Sequence, residues 1–148
     1  MSTDQSIYGW PDLLEGDPAS IDDFDMAFAS WAYKVNEELT HVHDVMSKPM
    51  HEDPSIMDSQ VTTDIEGWLP RVAFLTAYAE YFYRKAESRK LDTARRGAEK
   101  MSMAEAEVRM RSLLAPYRFV RDHLAGLQES MSDRMRWAQS VRKIVTPQ

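Results

Sequence analysis

The 148 residues include no cysteine, five glycines and ten methionines, and carry a net charge of −6 with 28% charged side chains. Without cysteine the chain can build neither a disulfide framework nor a thiolate zinc site, which suits a reducing intracellular compartment. No apolar run approaches the ~20 residues needed to cross a bilayer, and the polar stretch Met1–Asp4 lacks a basic region leading into an apolar one, so a soluble, cytoplasmic protein with no membrane contact is expected.

The first 20 residues carry Gly9, Pro11, Gly16 and Pro18, with Tyr8, Trp10, Leu13 and Leu14 between them, and read as an irregular arm. Residues 21–148 form one helical domain in this reading. Ser20 with Asp23 three positions on is a helix-start signal. From there Ile21, Phe28, Val35 and Val42 hold one heptad position, and Phe24, Trp31, Glu38 and Val45 the other. The pattern predicts a first helix over 21–47, ended by Pro49. Residues 49–63 hold two prolines and several acids and read as a linker, with a helical turn over part of it left open.

A second helix runs to about Leu91, starting either at a Thr63–Glu66 capping box or nearer Leu69. Val72, Leu75, Ala79, Phe82 and Ala86 form one stripe, with Phe74, Tyr78 and Tyr81 on an adjacent one. So broad an apolar surface predicts contact with two neighbours. The polar segment 92–101 reads as a turn. Ser102 with Glu105 then forms a capping box for a third helix over 103–144. There Ala106, Met110, Leu113, Tyr117, Val120, Leu124, Leu127, Met131, Arg134, Ala138, Val141 and Val145 recur at alternating spacings of four and three. Pro116 is expected to kink or break it early.

These patterns predict an all-α protein with three main helices, an elongated hairpin with the first helix across it and a coiled-coil-like C-terminal helix. The seam Leu113, Tyr117, Val120, Leu124, Leu127, Met131, Arg134 and Val141 is long relative to the partner helices the chain supplies. A homo-oligomer is therefore expected to cover it. Arg134, the polar member, is placed to set register or to meet an acid such as Glu38.

Charge divides the chain. Up to Gly67 there are 15 acids against Lys34 and Lys48, and from Trp68 onward 16 cations against nine acids. Arg84, Lys85, Arg89, Lys90, Arg95, Arg96 and Lys100 follow directly on Tyr78, Tyr81, Phe82 and Tyr83. Cations beside aromatic rings suit single-stranded nucleic acid, because the cations neutralise phosphates while a ring stacks on any base. A solvated basic helix end, favourable against the helix dipole, accounts for the same residues. Arg109, Arg111, Arg118 and Arg121 add charge on the outer face of the third helix, or pair with the acidic first helix.

Glu37, His41 and Asp44 share one helix face, but a bundle metal site needs matching ligands from other helices and no Glu-x-x-His is present. Surface solvation explains them, and no metal or cofactor is expected. Neither a Gly-x-Ser-x-Gly elbow nor a phosphate-binding glycine loop occurs, so a non-enzymatic protein is expected.

Leu127, Ser130, Met131 and Arg134, continuing through Ala138, Val141, Arg142 and Lys143, stand after residues 81–90 as a basic helix end, and this order of parts resembles the UvsY-like recombination mediators of tailed phages. The resemblance implies an oligomeric helical protein that binds single-stranded DNA and helps load a recombinase, with Arg84, Lys85 and Arg89 as DNA contacts. The acidic N-terminal half departs from a DNA-coating protein and is the expected surface for the recombinase. The alternative is a helical protein-interaction or structural module, including an acidic DNA mimic.

Overall fold

The computed structural model describes residues 21–96 and 102–145, without the side chains of Thr93, Arg95, Arg96 and Val145. The arm expected over residues 1–20 lies outside them. The described residues form α-helices α1 (Asp23–Glu38), α2 (Thr40–Met46), α3 (Pro54–Val61), α4 (Leu69–Arg96) and α5 (Met103–Val145), with a π-helical segment Thr62–Glu66 before α4. An all-α fold is thus observed, and no strand occurs among the described residues.

The predicted first helix is two helices. Asp22 caps α1, accepting the Phe24 amide at 2.8 Å, while Ser20, the start signal read from sequence, lies outside the described residues. The helix is interrupted at Leu39, where the Thr40 hydroxyl donates to the Glu37 carbonyl at 2.8 Å and competes with the backbone ladder. The predicted linker is also helical. Asp53 accepts the Ser55 amide at 2.9 Å and Pro54 occupies the first turn, a strong start signal that two prolines in a short polar stretch obscured. The Thr63–Glu66 pair lies in the π-helical segment, so α4 takes the later of its two proposed starts.

Ser102 and Glu105 cap α5 reciprocally, at 3.2 and 3.3 Å. Of the two outcomes expected at Pro116, a kink or a break, the break does not occur: α5 passes through the proline without ending. Proline removes one ladder bond, here the one to the carbonyl of Ser112, an exposed residue with access to water, while Leu114 and Tyr117 on either side are buried.

α4 and α5 form an antiparallel hairpin, marked by the Thr76 hydroxyl bonding the Leu124 carbonyl at 3.3 Å. The inner stripe Val72, Leu75, Ala79 and Ala86 is buried with Leu114, Tyr117, Val120 and Leu124. α1 runs along α4 in the opposite direction: Asp22 meets Arg89, Phe28 meets Phe82, Trp31 meets Tyr78, and Glu38 meets Arg71. Phe28 stacks on Tyr117 with ring centroids 4.1 Å apart.

The far half of α5 is covered by the short helices. Arg142 bonds Asp58 and, at 3.1 Å, the Thr62 hydroxyl, fastening α3 and the π-helical segment to it. Arg134 donates to the carbonyls of Val45, Met46 and Lys48 at 3.4, 3.2 and 2.7 Å, so it caps the C-terminal end of α2, sharing the Val45 carbonyl with the Lys48 amide. Its proposed partner Glu38 instead takes Arg71. Of the seam residues, Tyr117, Val120, Leu124, Leu127 and Met131 are buried inside this one chain, while Leu113, Arg134 and Val141 are partly exposed. The burial argument for a second copy depended on reading α3 as a linker. With α3 in place the seam has its own cover.

Leu124→Ala, at a fully buried position, is expected to cost about 2–5 kcal/mol in chemical denaturation, whereas Val108→Ala, 64% exposed, should stay within about 0.5 kcal/mol. Equal effects at the two positions would contradict this packing.

Candidate binding face on helix α4

The seven cations singled out from sequence do not share one surface. Lys90 is buried, and its ammonium lies 2.5 Å from Asp25, whose other oxygen accepts the Tyr117 hydroxyl. Arg89 reaches both oxygens of Asp22 at 3.1 Å, with its guanidinium 5.0 Å from the Phe24 ring centre. Arg84 lies against Glu80 at 3.0 Å on the exposed surface. Lys85 stands 5.8 Å from the Tyr81 ring centre and faces solvent. The side chains of Arg95 and Arg96, and Lys100 entirely, lie outside the described residues. Of the α5 cations, Arg121 stacks over Tyr83 at 4.0 Å and pairs with Asp122 and Glu80, not with α1.

α4 meets two neighbours, α5 and α1, and its second aromatic stripe stays largely open. Among the described residues no further helix covers it: Phe74, Tyr78 and Tyr81 are 56, 41 and 52% exposed. Their centroids are separated by 6.0 and 5.8 Å, and Tyr78 also stacks on Trp31 at 5.4 Å. The rings therefore form a continuous ladder held from beneath by packed aromatics. Positions 71, 74, 78, 81, 85 and 89 follow steps of three and four, which places all six on one face of α4. Cations flank the rings at both ends, with Arg71 5.5 Å from the Phe74 centre and bound through two nitrogens to Glu38 at 2.5 and 2.7 Å.

Three neighbouring exposed rings on a rigid helix leave apolar surface that water solvates poorly, a mark of a binding surface more than of a simply solvated helix. Sequence periodicity detected this stripe and left open whether its tyrosines pack in the core or present a stacking surface. The useful signal was the sharing of its register with Arg71, Lys85 and Arg89, since cations along both ends of a stripe argue against full burial.

The metal reading gains no support from the geometry. His41 contacts Asp64 at 3.0 Å and Asp44 contacts Lys48 at 3.1 Å, so the acids flanking His41 on α1 and α2 do not converge on it. No group of three or more His, Cys, Asp or Glu among the described residues is placed to hold a metal ion. Comparison of the chain with family models, with curated proteins and with solved structures finds no match in any of the three.

A histidine pair joins α2 to α5. His43 and His123 approach with their Nε2 atoms 2.8 Å apart, so one ring donates and the other accepts. Burial depresses both pKa values. That of His123 falls to about 4, and the His43 charge adds to the depression. A histidine held below its unfolded value of about 6.5 contributes stability that is full above that pH and is lost as pH falls toward the folded value. The melting temperature should therefore fall between pH 6.5 and 4, and His123→Gln should flatten that part of the profile. A profile unchanged by the substitution would contradict the assignment.

Proposed function

We propose that this chain is a non-enzymatic DNA-associated accessory protein that binds single-stranded DNA on the outer face of α4, in the manner of a recombination mediator. The observation that carries this reading is the exposed ladder Phe74, Tyr78 and Tyr81 in register with Lys85. Bases stack on such rings without regard to sequence, and the adjacent ammonium neutralises phosphate. Arg84 borders the same face, and the charges of Arg95, Arg96 and Lys100 follow along the chain. The resemblance to UvsY-like mediators adds a recombinase as protein partner, taken on the acidic first half of the chain. In a homo-oligomer, repeated faces would bind a polyanion through avidity even where each is weak.

A second reading has its own observation. Arg89 and Lys90 are already matched by Asp22 and Asp25, which lowers the positive charge available to DNA and favours a protein partner on the aromatic face. Fluorescence anisotropy with labelled oligothymidylate, titrated with salt, separates the two. Tyr78→Ala and Tyr81→Ala should each weaken binding by about 1–3 kcal/mol. Lys85→Ala should also reduce the slope of log K against log salt by about 0.7. Absence of binding at low salt, or binding indifferent to all three substitutions, would leave the protein-interaction module as the function.

A further inference from the structure

Two basic residues adjacent in sequence are held in unlike ways by α1. Lys90 sits in a nearly closed site, its side chain 11% exposed, and its partner Asp25 is itself bonded to Tyr117. Arg89 and Asp22 are 50 and 40% exposed, a pair that water and salt reach freely. An ion pair of that exposure is worth at most roughly a fivefold shift in an equilibrium, so a competing anion can displace it. The buried pair cannot be opened in the same way without stranding a charge.

Arg89 also occupies the register of the aromatic face, four residues beyond Lys85 and eight beyond Tyr81, so those three positions share one side of α4. The Asp22 carboxylate has a second task, since its Oδ1 accepts the Phe24 amide at the start of α1. That bond needs nothing from Arg89, and it is the foremost cause of the lowered Asp22 pKa. Departure of Arg89 therefore leaves α1 capped.

We propose that Asp22 is an internal phosphate mimic that holds Arg89 in reserve, and that a single-stranded nucleic acid seated on Phe74, Tyr78 and Tyr81 displaces it and takes Arg89 as an added phosphate contact. This rests on the DNA-binding reading above and specifies its regulation. The acidic half of the chain then acts as a competitor that raises the threshold for binding, so that weak or short polyanions fail to open the latch. Lys90 remains a structural residue throughout.

The test uses the full chain with labelled oligothymidylate. Asp22→Asn removes the charge but keeps a side chain that caps a helix well, and circular dichroism checks that the helix content is retained. It is expected to tighten binding three- to fivefold at low salt, with a log K against log salt slope steeper by about 0.7. Asp23→Asn makes the same change in net charge one residue along, and its gain should be clearly smaller. Adding Arg89→Ala to Asp22→Asn should abolish the gain.

Equal gains from Asp22→Asn and Asp23→Asn would reduce the effect to net charge and overturn the latch, as would a gain that survives Arg89→Ala. Wild-type binding that Lys85→Ala weakens but Asp22→Asn leaves unchanged would overturn the latch alone and preserve the DNA-binding face. Failure of both the wild type and Asp22→Asn to bind would remove the reading beneath it.

Discussion

Asp25 accepts the Tyr117 hydroxyl on one oxygen and the Lys90 ammonium on the other, bringing α1, α4 and α5 together at one point. Removing one partner of so enclosed a pair leaves the other charge desolvated, which commonly costs several kcal/mol. The bond fixes the line along which α1 descends α4. It places Phe24 and Phe28 against Tyr117 and Phe82, and Trp31 under Tyr78. Those contacts in turn hold the outer rings of α4 at the surface. Burial and desolvation raise the Tyr117 pKa strongly, so its hydroxyl stays protonated and continues to donate.

The division of charge along the chain is in part a folding device. Acids of α1 are answered by cations of α4 at both ends of the contact, Asp22 and Asp25 with Arg89 and Lys90 at one end, Glu38 with Arg71 at the other. A run of four basic residues that looks uniform in sequence is thereby sorted by environment: one is buried, one is latched, one leans on a neighbouring turn, and Lys85 stands beside an exposed ring. Net charge could not have distinguished these roles, since it counts each cation equally whatever carboxylate lies beside it.

What the sequence disclosed was chiefly periodic. The spacing of Tyr117, Val120, Leu124, Leu127 and Met131 located α5 and its buried side, and Ser102 with Glu105 located its start. Leu39 and Thr40 were opaque because an interruption that depends on one hydroxyl competing for a carbonyl leaves the apolar stripe intact. α3 was missed because its helix-forming signal, Asp53 with Pro54, lay in a polar stretch too short to show a period. That omission propagated: without α3 the far seam of α5 lacked a cover, and a second copy was called upon to supply it. The candidate face was half visible, its residues named but its exposure left undecided between core and stacking surface, because alternation of apolar positions records spacing and not what lies opposite.

The central claim is that single-stranded DNA lies on Phe74, Tyr78 and Tyr81. Ultraviolet cross-linking of oligothymidylate to the intact protein, followed by tryptic digestion and mass spectrometry, addresses it most directly. Cleavage after Arg71 and Arg84 releases residues 72–84 as one peptide, and the account predicts that this peptide carries the nucleotide adduct. Adducts confined to Trp137, an exposed aromatic on α5, or the absence of any adduct at low salt, would contradict it.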